Sequence, residues 1–418
     1  MARPVRFLHS ADFHLGAGFI GAQLRNQNLG LRLRDAVKDA YLCVIDTALE
    51  EKVDFVVLAG DLFDVTENNY RAQGLLIEGL ERLNEHDIQV YLVAGNHDPL
   101  NDSDRLSLPQ NVQIFGSEGV QEMRFEKDGV QPCLIYGRSY PTAAVRSNYA
   151  QGFKRGACPN AIGILHTNVG TVSADDRYAS CSLDDLRAAQ MDYWALGHIH
   201  MTNVLSENKP CALYAGSPQA LNINETGPHG CYIVELDEGS VSYRFVSTNL
   251  INMLQCEIDI EGAEDEDTLR QRVSALLAVE LDESETKTLV RITLTGISSL
   301  PKAIDDTWLE SFGESLESAL SGPFPQVFLD TTIKNQTIDS VKHELAENTN
   351  EFIGTVIKMA NDAETGLCLE DLFTEKNLAD FAKNFPQEFS ELIDSLDKEE
   401  ILSSAQELLY RKLLKGSN

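Results

Sequence analysis

The sequence has no apolar run that approaches a membrane span, which takes about 20 residues in an α-helix. Its first residues lead from Met1 directly into the apolar pair Phe7-Leu8, without the longer apolar region of a secretory signal peptide. We therefore expect no contact with a membrane and a cytoplasmic location.

Paired cysteines are also missing. The chain has 8 cysteines, but they are scattered and none forms a Cys-X-X-Cys pair. This pattern argues against a disulfide framework and against a zinc site built from thiolates. Buried, reduced thiols are the expected state.

Positive charge is scarce. Lys and Arg number 34 against 65 Asp and Glu, a formal net charge of −31. The net charge is −11 over residues 1–250 and −20 over the shorter stretch 251–418. This argues against a protein-wide affinity for nucleic acid, because neutralisation of phosphates by basic side chains drives that binding. A local basic track, metal ions that supply positive charge, or a basic partner surface stay open as alternatives.

Short apolar runs recur along the first 250 residues, and each ends at a polar motif. They predict buried strands, and helical periodicity predicts helices over 34–51 and about 70–85. Such strands are typical of an α/β sheet covered on both faces, which binds ligands at its carboxyl edge. The runs are 4–9, 55–59, 89–94, 161–165 and 193–196.

The polar motifs at the ends of these runs supply ligands for two divalent metal ions. Each occurs by chance in many proteins, but five in this order do not. Asp, Asn and His ligands without Cys suit Mn²⁺, Fe²⁺ or Zn²⁺, and two such ions can assist displacement at a phosphodiester. The motifs are Asp12-Phe13-His14, Gly60-Asp61-Leu62-Phe63-Asp64, Gly95-Asn96-His97-Asp98, His166 and Gly197-His198-Ile199-His200.

With their flanking residues, these motifs resemble the calcineurin-like metallophosphoesterases. His9 to Gly16, Gly60 to Asp64 and Tyr214 to Gln219 are similar to DNA-repair exonucleases of the SbcD and YhaO type. The resemblance covers about residues 5–247. It implies an α/β fold: a two-sheet α/β metallophosphoesterase sandwich with a small α+β capping domain and a helical C-terminal extension.

The resemblance also implies a ligand for each metal position. The cofactors would be two divalent ions, with Mn²⁺ expected first and Fe²⁺, Zn²⁺ or Mg²⁺ as alternatives. Asp61 would bridge them. One ion would be held by Asp12, His14, Asp61 and His200, and the other by Asp61, Asn96, His166 and His198.

Three further residues receive catalytic roles from the resemblance. His97 would protonate the leaving oxygen or stabilise charge on the phosphoryl group, and Asp98 would orient His97. Asp64 stands where other branches of the family carry His, and it would help to position the site.

The sequence pattern changes near residue 250. Residues 1–250 form the predicted nuclease domain, and a β-α-β-α-β pattern predicts a capping domain over 251–335. Residues 336–418 have only helical patterns. The last helix, 398–415, is a candidate docking element for a partner, and packing on its own domain is the alternative. Its apolar stripe contains Leu402, Ala405, Leu409 and Leu413.

DNA is the first expected partner, and basic side chains near the motifs are candidate contacts to its phosphates. Surface positions without a ligand are the alternative for them. The resemblance further implies a nucleoid-associated complex with a coiled-coil ATPase of the SbcC or YhaN type, and a homodimer. The candidate contacts are Arg25, Arg32, Arg34, Lys154 and Arg155.

The sequence thus predicts a two-metal DNA nuclease, exonuclease or endonuclease, in double-strand-break repair. One alternative is a metallophosphoesterase that acts on a nucleotide or another small phosphodiester or phosphomonoester. The other is a mainly structural subunit of a repair complex.

Overall fold

In the computed structural model, the backbone is described for residues 4–17, 27–63, 70–100, 107–127, 130–170, 177–281, 286–298, 300, 304–330 and 333–339. The α-helices in these ranges are α1 (Gln27–Glu50), α2 (Tyr70–Asn84), α3 (Leu183–Ala188), α4 (Glu266–Glu280) and α5 (Asp306–Leu320). The strands are β1 (Val5–Ser10), β2 (Phe55–Ala59), β3 (Gln89–Val93), β4 (Val112–Ile114), β5 (Gln121–Lys127), β6 (Val130–Gly137), β7 (Asn160–His166), β8 (Tyr193–Gly197), β9 (Asn203–Ser206), β10 (Cys211–Tyr214), β11 (Gly230–Asp237), β12 (Ser240–Ser247), β13 (Ile251–Asp259), β14 (Lys287–Thr295), β15 (Ile297–Ser298), β16 (Val327–Leu329), β17 (Lys334–Asn335) and β18 (Ile338–Asp339).

Two six-stranded sheets carry the predicted site. The first has the order β12-β11-β1-β2-β3-β4, in which β1 to β4 are parallel and β11 and β12 are antiparallel additions. The second has the order β5-β6-β7-β8-β10-β9, in which β6, β7, β8 and β10 are parallel. Each sheet therefore has a carboxyl edge at which several strand ends meet.

The inner faces of the two sheets pack on each other. Phe7 and Phe55 of the first sheet stack at 5.0 Å between ring centroids, and Phe7 meets Tyr193 of the second sheet edge-on at 5.3 Å. All three rings are buried. Every second residue of these strands points into this core, as expected for a sandwich of two sheets.

Helices and loops cover the outer faces, so the strands are buried on both sides. Tyr41, Val44 and Ala48 recur at helical spacing on α1 and are buried against the first sheet together with residues of α2. On the second sheet, Trp194 is buried and donates its Nε1 hydrogen to the carbonyl oxygen of Leu186 in α3, at 3.1 Å. The predicted two-sheet α/β fold is confirmed.

After β12 the chain follows the predicted β-α-β-α-β succession, as β13, α4, β14, α5 and β16. Strands β13, β14 and β16 are neighbours in a third sheet, with β17 beside β14. On α5, Trp308, Phe312 and Leu316 are buried at helical spacing. The predicted helical extension over 336–418 lies almost wholly outside the described residues, and the predicted docking helix over 398–415 lies there entirely.

The contacts divide the chain into two units that do not follow a single cut in the sequence. One unit consists of Met1–Glu257, Ser274–Thr293 and Asp306–Lys334, and the other of Ile258–Val273, Leu294–Asp305 and Asn335–Asn418. All predicted ligands of the metal ions belong to the first unit. The predicted domain boundaries at 250 and 335 stay predictions.

Candidate metal centre

The predicted metal ligands lie at or just after the carboxyl ends of strands. The loop after β1 is bonded to the loop after β2: Asp12 N donates to Gly60 O, and His14 N donates to Asp61 O, both at 3.0 Å. Asp12, His14, Asp61 and His198 have positive φ angles of 53°, 46°, 54° and 103°. Such backbone is uncommon outside glycine and concentrates at functional sites.

Two glycines allow the loops to approach this closely. A Cβ atom on Gly60, whose φ is +91°, would lie 2.7 Å from Nδ1 of His166. A Cβ atom on Gly95 would lie 2.2 Å from Oδ1 of Asp61. Both contacts are far shorter than van der Waals distance, so any side chain at these positions would displace a predicted ligand.

The first group of converging side chains is Asp12, His14 and His200, whose ligand atoms lie within 4.8 Å of one another. Nε2 of His14 is 3.1 Å from Nε2 of His200 and 3.7 Å from Oδ2 of Asp61. Two imidazole nitrogens that face each other beside carboxylates need a shared proton or a cation between them. The donor set therefore fits a divalent metal ion.

The second group is Asp61, His166 and His198. Nε2 of His166 is 3.2 Å from Oδ2 of Asp61 and 2.9 Å from Oδ1 of Asn96. Asp61 also belongs to a third group, with His14 and His97. The structure thus brings all seven predicted metal ligands to one place and puts Asp61 between the two sets, where the predicted bridging ligand would stand.

Burial and mutual charge perturb the groups of this cluster. Burial raises the pKa of Asp12, against the opposing charge of His166. Burial alone would raise the pKa of Asp61 too, but the charge and hydrogen bond of His166 hold it well below its ordinary value. Burial would lower the pKa of His166, yet Asp61 raises it to about 9. The cluster therefore demands positive charge, which protons or metal ions can supply.

His97 is exposed at the rim of the cluster, and its backbone N donates to Oδ1 of Asp61 at 2.8 Å. This exposure suits a group that meets a substrate. Its predicted catalytic role stays a prediction.

Asp98 is buried and ties the loops together. Its carboxylate accepts hydrogen bonds from the backbone N of Asp61 at 3.2 Å, Leu62 at 2.8 Å and Gly95 at 2.6 Å. Burial and the charge of Asp61 raise the pKa of Asp98 to about 6. These bonds give Asp98 a task in the fold, and its predicted orientation of His97 stays a prediction. Asp64 lies outside the described residues.

The candidate DNA contacts do not form one group in the structure. Arg155 is ion-paired with the fully buried Asp192 at 2.6 Å, and its guanidinium donates to the carbonyl oxygen of Cys158. Arg32 packs over the ring of Phe328, 4.8 Å from the centroid. Arg34 and Lys154 are exposed, whereas Arg25 lies outside the described residues. Arg155 in particular is used by the fold, and DNA contact by any of the five stays a prediction.

Two side chains at the centre were not predicted from the sequence. Glu225 lies 2.9 Å from Nδ1 of His200 through its Oε1. Tyr178 packs on His198 with a centroid distance of 4.5 Å and is 39% exposed. Both stand in polar loops that carry no motif, so only the folded chain brings them to the ligands.

No described helix combines the length and the apolar character that a membrane crossing needs. This finding concerns the described ranges alone.

Comparison with known proteins agrees with this geometry. Residues 5–201 match the calcineurin-like phosphoesterase family, and residues 254–333 match the middle domain of metallophosphoesterase YhaO. The sequence is 32% identical to the uncharacterized metallophosphoesterase YhaO of Bacillus subtilis (strain 168) over 420 residues, 99% of each chain. The chain therefore belongs to the calcineurin-like metallophosphoesterases and carries a YhaO-type middle domain. Membership implies metal-dependent hydrolysis of phosphoesters at a dimetal centre.

Two further relatives are more distant. The DNA double-strand break repair protein Mre11 of Sulfurisphaera tokodaii is 26% identical over 378 residues, which cover 86% of this chain and 90% of that one. The SbcD component of the nuclease SbcCD of Bacillus subtilis (strain 168) is 24% identical over 260 residues, which cover 53% and 64%.

Proposed function

We propose that this protein is a metal-dependent DNA nuclease that hydrolyses phosphodiester bonds in double-strand-break repair. The observation that carries the proposal is the pair of ligand groups that meet at Asp61. Similarity to proteins named for break repair and for nuclease activity supports DNA as the substrate over other phosphoesters.

The geometry suggests which residues would bind each metal ion and which would donate a proton. Asp12, His14 and His200 would hold one ion and Asn96, His166 and His198 the other, with Asp61 shared. When bound, the two ions supply Lewis acidity and lower the pKa of water, and Mn²⁺ is the ion we expect. His97, exposed beside Asp61, would donate its imidazole proton to the leaving oxygen.

The acidic surface must be reconciled with DNA binding. With a net charge of −31, long-range attraction of DNA is absent, so contact would depend on the metal ions and a few local cations. A coiled-coil ATPase of the SbcC or YhaN type and a second copy of the chain belong to the same proposal. Either could add basic surface to the few local cations of this chain.

The test is Mn²⁺-dependent digestion of linear duplex and single-stranded DNA by the full chain. Two pairs of variants carry matched changes inside and outside the centre: His97→Ala with His86→Ala, and Asp61→Asn with Asp87→Asn. We expect the wild type and the two outside variants to cut DNA, and the two inside variants to lose at least 100-fold in rate. Equal cutting by all five proteins would show that the activity is not from this centre.

An assay with a small phosphodiester distinguishes the DNA nuclease from the alternative function, a phosphoesterase that acts on small substrates. The comparison that covers the whole chain supports phosphoester hydrolysis without naming a substrate, which favours this assay. The wild type could hydrolyse bis(p-nitrophenyl) phosphate but leave DNA intact, even when a coiled-coil ATPase of the SbcC or YhaN type is added. This result would indicate that the natural substrate is a nucleotide or another small phosphoester. If His97→Ala left repair in cells unchanged while removal of residues 398–415 abolished it, the result would favour a structural subunit.

A further inference from the structure

The segment from Gly216 to Gly230 is folded against the metal ligand His200. Ser217 N donates to the carbonyl oxygen of His200 at 2.9 Å. Eight residues further on, Oε1 of Glu225 is 2.9 Å from Nδ1 of His200. The Glu225 side chain is only 17% exposed, so this pair is not an ordinary surface ion pair.

Both oxygens of Glu225 are used as acceptors. Oε2 accepts a hydrogen bond from the backbone N of Leu221 at 2.7 Å, while Oε1 faces His200. A carboxylate that accepts from Nδ1 fixes the proton of the imidazole on that nitrogen. Nε2 of His200 then directs its lone pair to the ligand group, where it lies 3.1 Å from Nε2 of His14.

We propose that Glu225 is a positioning residue of the metal centre, which fixes the tautomer and ring orientation of His200 so that Nε2 can bind metal. The proposal deepens the metal-dependent function proposed above and rests on it. Carboxylates that hold metal-binding imidazoles in this way raise the basicity of the ligand and contribute to metal affinity.

Glu225 is itself held in place by a buried histidine. His229 donates its Nε2 hydrogen to the carbonyl oxygen of Glu225 at 3.1 Å, and its Nδ1 accepts from the hydroxyl of Ser217 at 3.1 Å. The imidazole thus connects the two ends of the segment that touch His200. A ligand supported through such a connected network is preorganised for binding.

Replacement by glutamine tests the acceptor role with little change in shape. Gln offers one acceptor oxygen and one donor NH₂ in place of two acceptors. If its oxygen takes the Leu221 hydrogen bond, its NH₂ faces Nδ1 of His200. The imidazole proton then moves to Nε2, the nitrogen that must bind the ion.

The experiment is calorimetric titration of Mn²⁺ into the metal-free full chain, for wild type, E225Q and E122Q. Glu122 is a matched control because it also accepts a hydrogen bond, from the hydroxyl of Tyr136 at 3.0 Å, but lies on edge strand β5. We expect wild type and E122Q to bind two ions, and E225Q to bind one of them about 10- to 100-fold more weakly. Circular dichroism checks that the metal-free variants fold, and E225D is the second variant if E225Q does not.

A double-mutant cycle with His200→Ala distinguishes positioning from a general structural role. In that background E225Q is expected to cause no further loss of Mn²⁺ affinity, because the imidazole it acts on is gone. An equal loss in both backgrounds, or wild-type affinity in E225Q, would overturn the positioning role. A wild type that binds no Mn²⁺ would overturn the proposed function instead, so the two failures are distinct.

Discussion

His166, the last residue of β7 in the second sheet, donates its Nδ1 hydrogen to the carbonyl oxygen of Ala59, the last residue of β2 in the first sheet, at 2.9 Å. The carbonyl can only accept, so the proton is on Nδ1 and Nε2 faces Oδ2 of Asp61 at 3.2 Å. One hydrogen bond thus joins the carboxyl edges of the two sheets and orients His166, a predicted metal ligand.

Metal ions should therefore stabilise the sandwich. Ions shared by Asp61 from the first sheet and His166 from the second would link the sheets, and unfolding would have to release them. At a Mn²⁺ concentration 100 times Kd, binding adds about 2.7 kcal/mol to the free energy of unfolding. We expect the melting temperature to rise by several degrees with Mn²⁺ and to return with EDTA. Mn²⁺ should not raise the melting temperature of Asp61→Asn. If it does, the stabilising ion binds at another site.

Asp98→Asn should destabilise the loops that form the centre. The carboxylate accepts from three backbone N–H groups, whereas Asn has one acceptor oxygen and would turn its NH₂ toward a donor. Burial of the charge, which raises the pKa to about 6, offsets part of this contribution, so at pH 8 we expect a net loss of about 1 kcal/mol in the free energy of unfolding. The same exchange at the exposed Asp87, whose φ of 57° suits Asn, is the control. Equal stability of the two variants in urea titrations would contradict the role of Asp98 in holding the loops together through its three hydrogen bonds.

His9 should make the fold sensitive to mild acid. Burial lowers its pKa from 6.5 to about 3, and its Nδ1 lies 2.9 Å from the hydroxyl of Tyr193. Below pH 6.5 the unfolded chain binds a proton that the folded chain does not bind until about pH 3. The contribution to stability is therefore full above pH 6.5 and falls as pH falls, by about 2 kcal/mol between pH 7 and 5.

Replacing His9 by Asn removes this titration and keeps a polar partner for Tyr193. In EDTA, the drop in melting temperature from pH 7 to pH 5 should be several degrees smaller in His9→Asn than in wild type. His86→Asn, at an exposed position, should behave as wild type does. Parallel pH profiles for all three proteins would show that His9 is not responsible.

The sequence was informative where the signal is local. Phe55 to Ala59 is one continuous apolar run because β2 is buried on both faces, and the predicted ligand Asp61 follows after Gly60. The strand β12 was not predicted, because its residues alternate between half-buried and exposed and give no apolar run. Antiparallel edge strands carry this weaker pattern.

Contacts made through loops could not be predicted in the same way. Glu225 reaches His200 across 25 residues of sequence, and nothing in its neighbours marks it as different from other acidic residues. The task of Asp98 depends on three backbone N–H groups whose direction is set by the folded loops. The pattern of residue types predicts the ligands, whereas the contacts that support them form only when the loops are folded.

The adjacent residues Arg155 and Lys154 have different expected roles. Arg155 is a cation used by the fold, whereas Lys154 is a candidate DNA contact. Arg155 is 19% exposed and pairs with the fully buried Asp192, which also pairs with Lys209. Arg155→Ala would leave that carboxylate with a single charged partner, Lys209, which is mostly exposed, at a cost of about 2 kcal/mol or more in the free energy of unfolding. Lys154→Ala removes an exposed charge, so stability should stay within about 0.5 kcal/mol.

If Lys154 contacts a phosphate, DNA binding should be affected more by Lys154→Ala than by Arg155→Ala, the reverse of the effects on stability. Its removal would then reduce the salt dependence of the affinity by about one unit of log–log slope, while Arg155→Ala leaves that slope unchanged. Urea unfolding and fluorescence anisotropy at several salt concentrations measure the two quantities on the same proteins. A reduced slope for Arg155→Ala with unchanged stability would mean that its guanidinium leaves Asp192 to bind DNA, and the buried carboxylate would then keep Lys209 and the backbone N of Ala161 as partners.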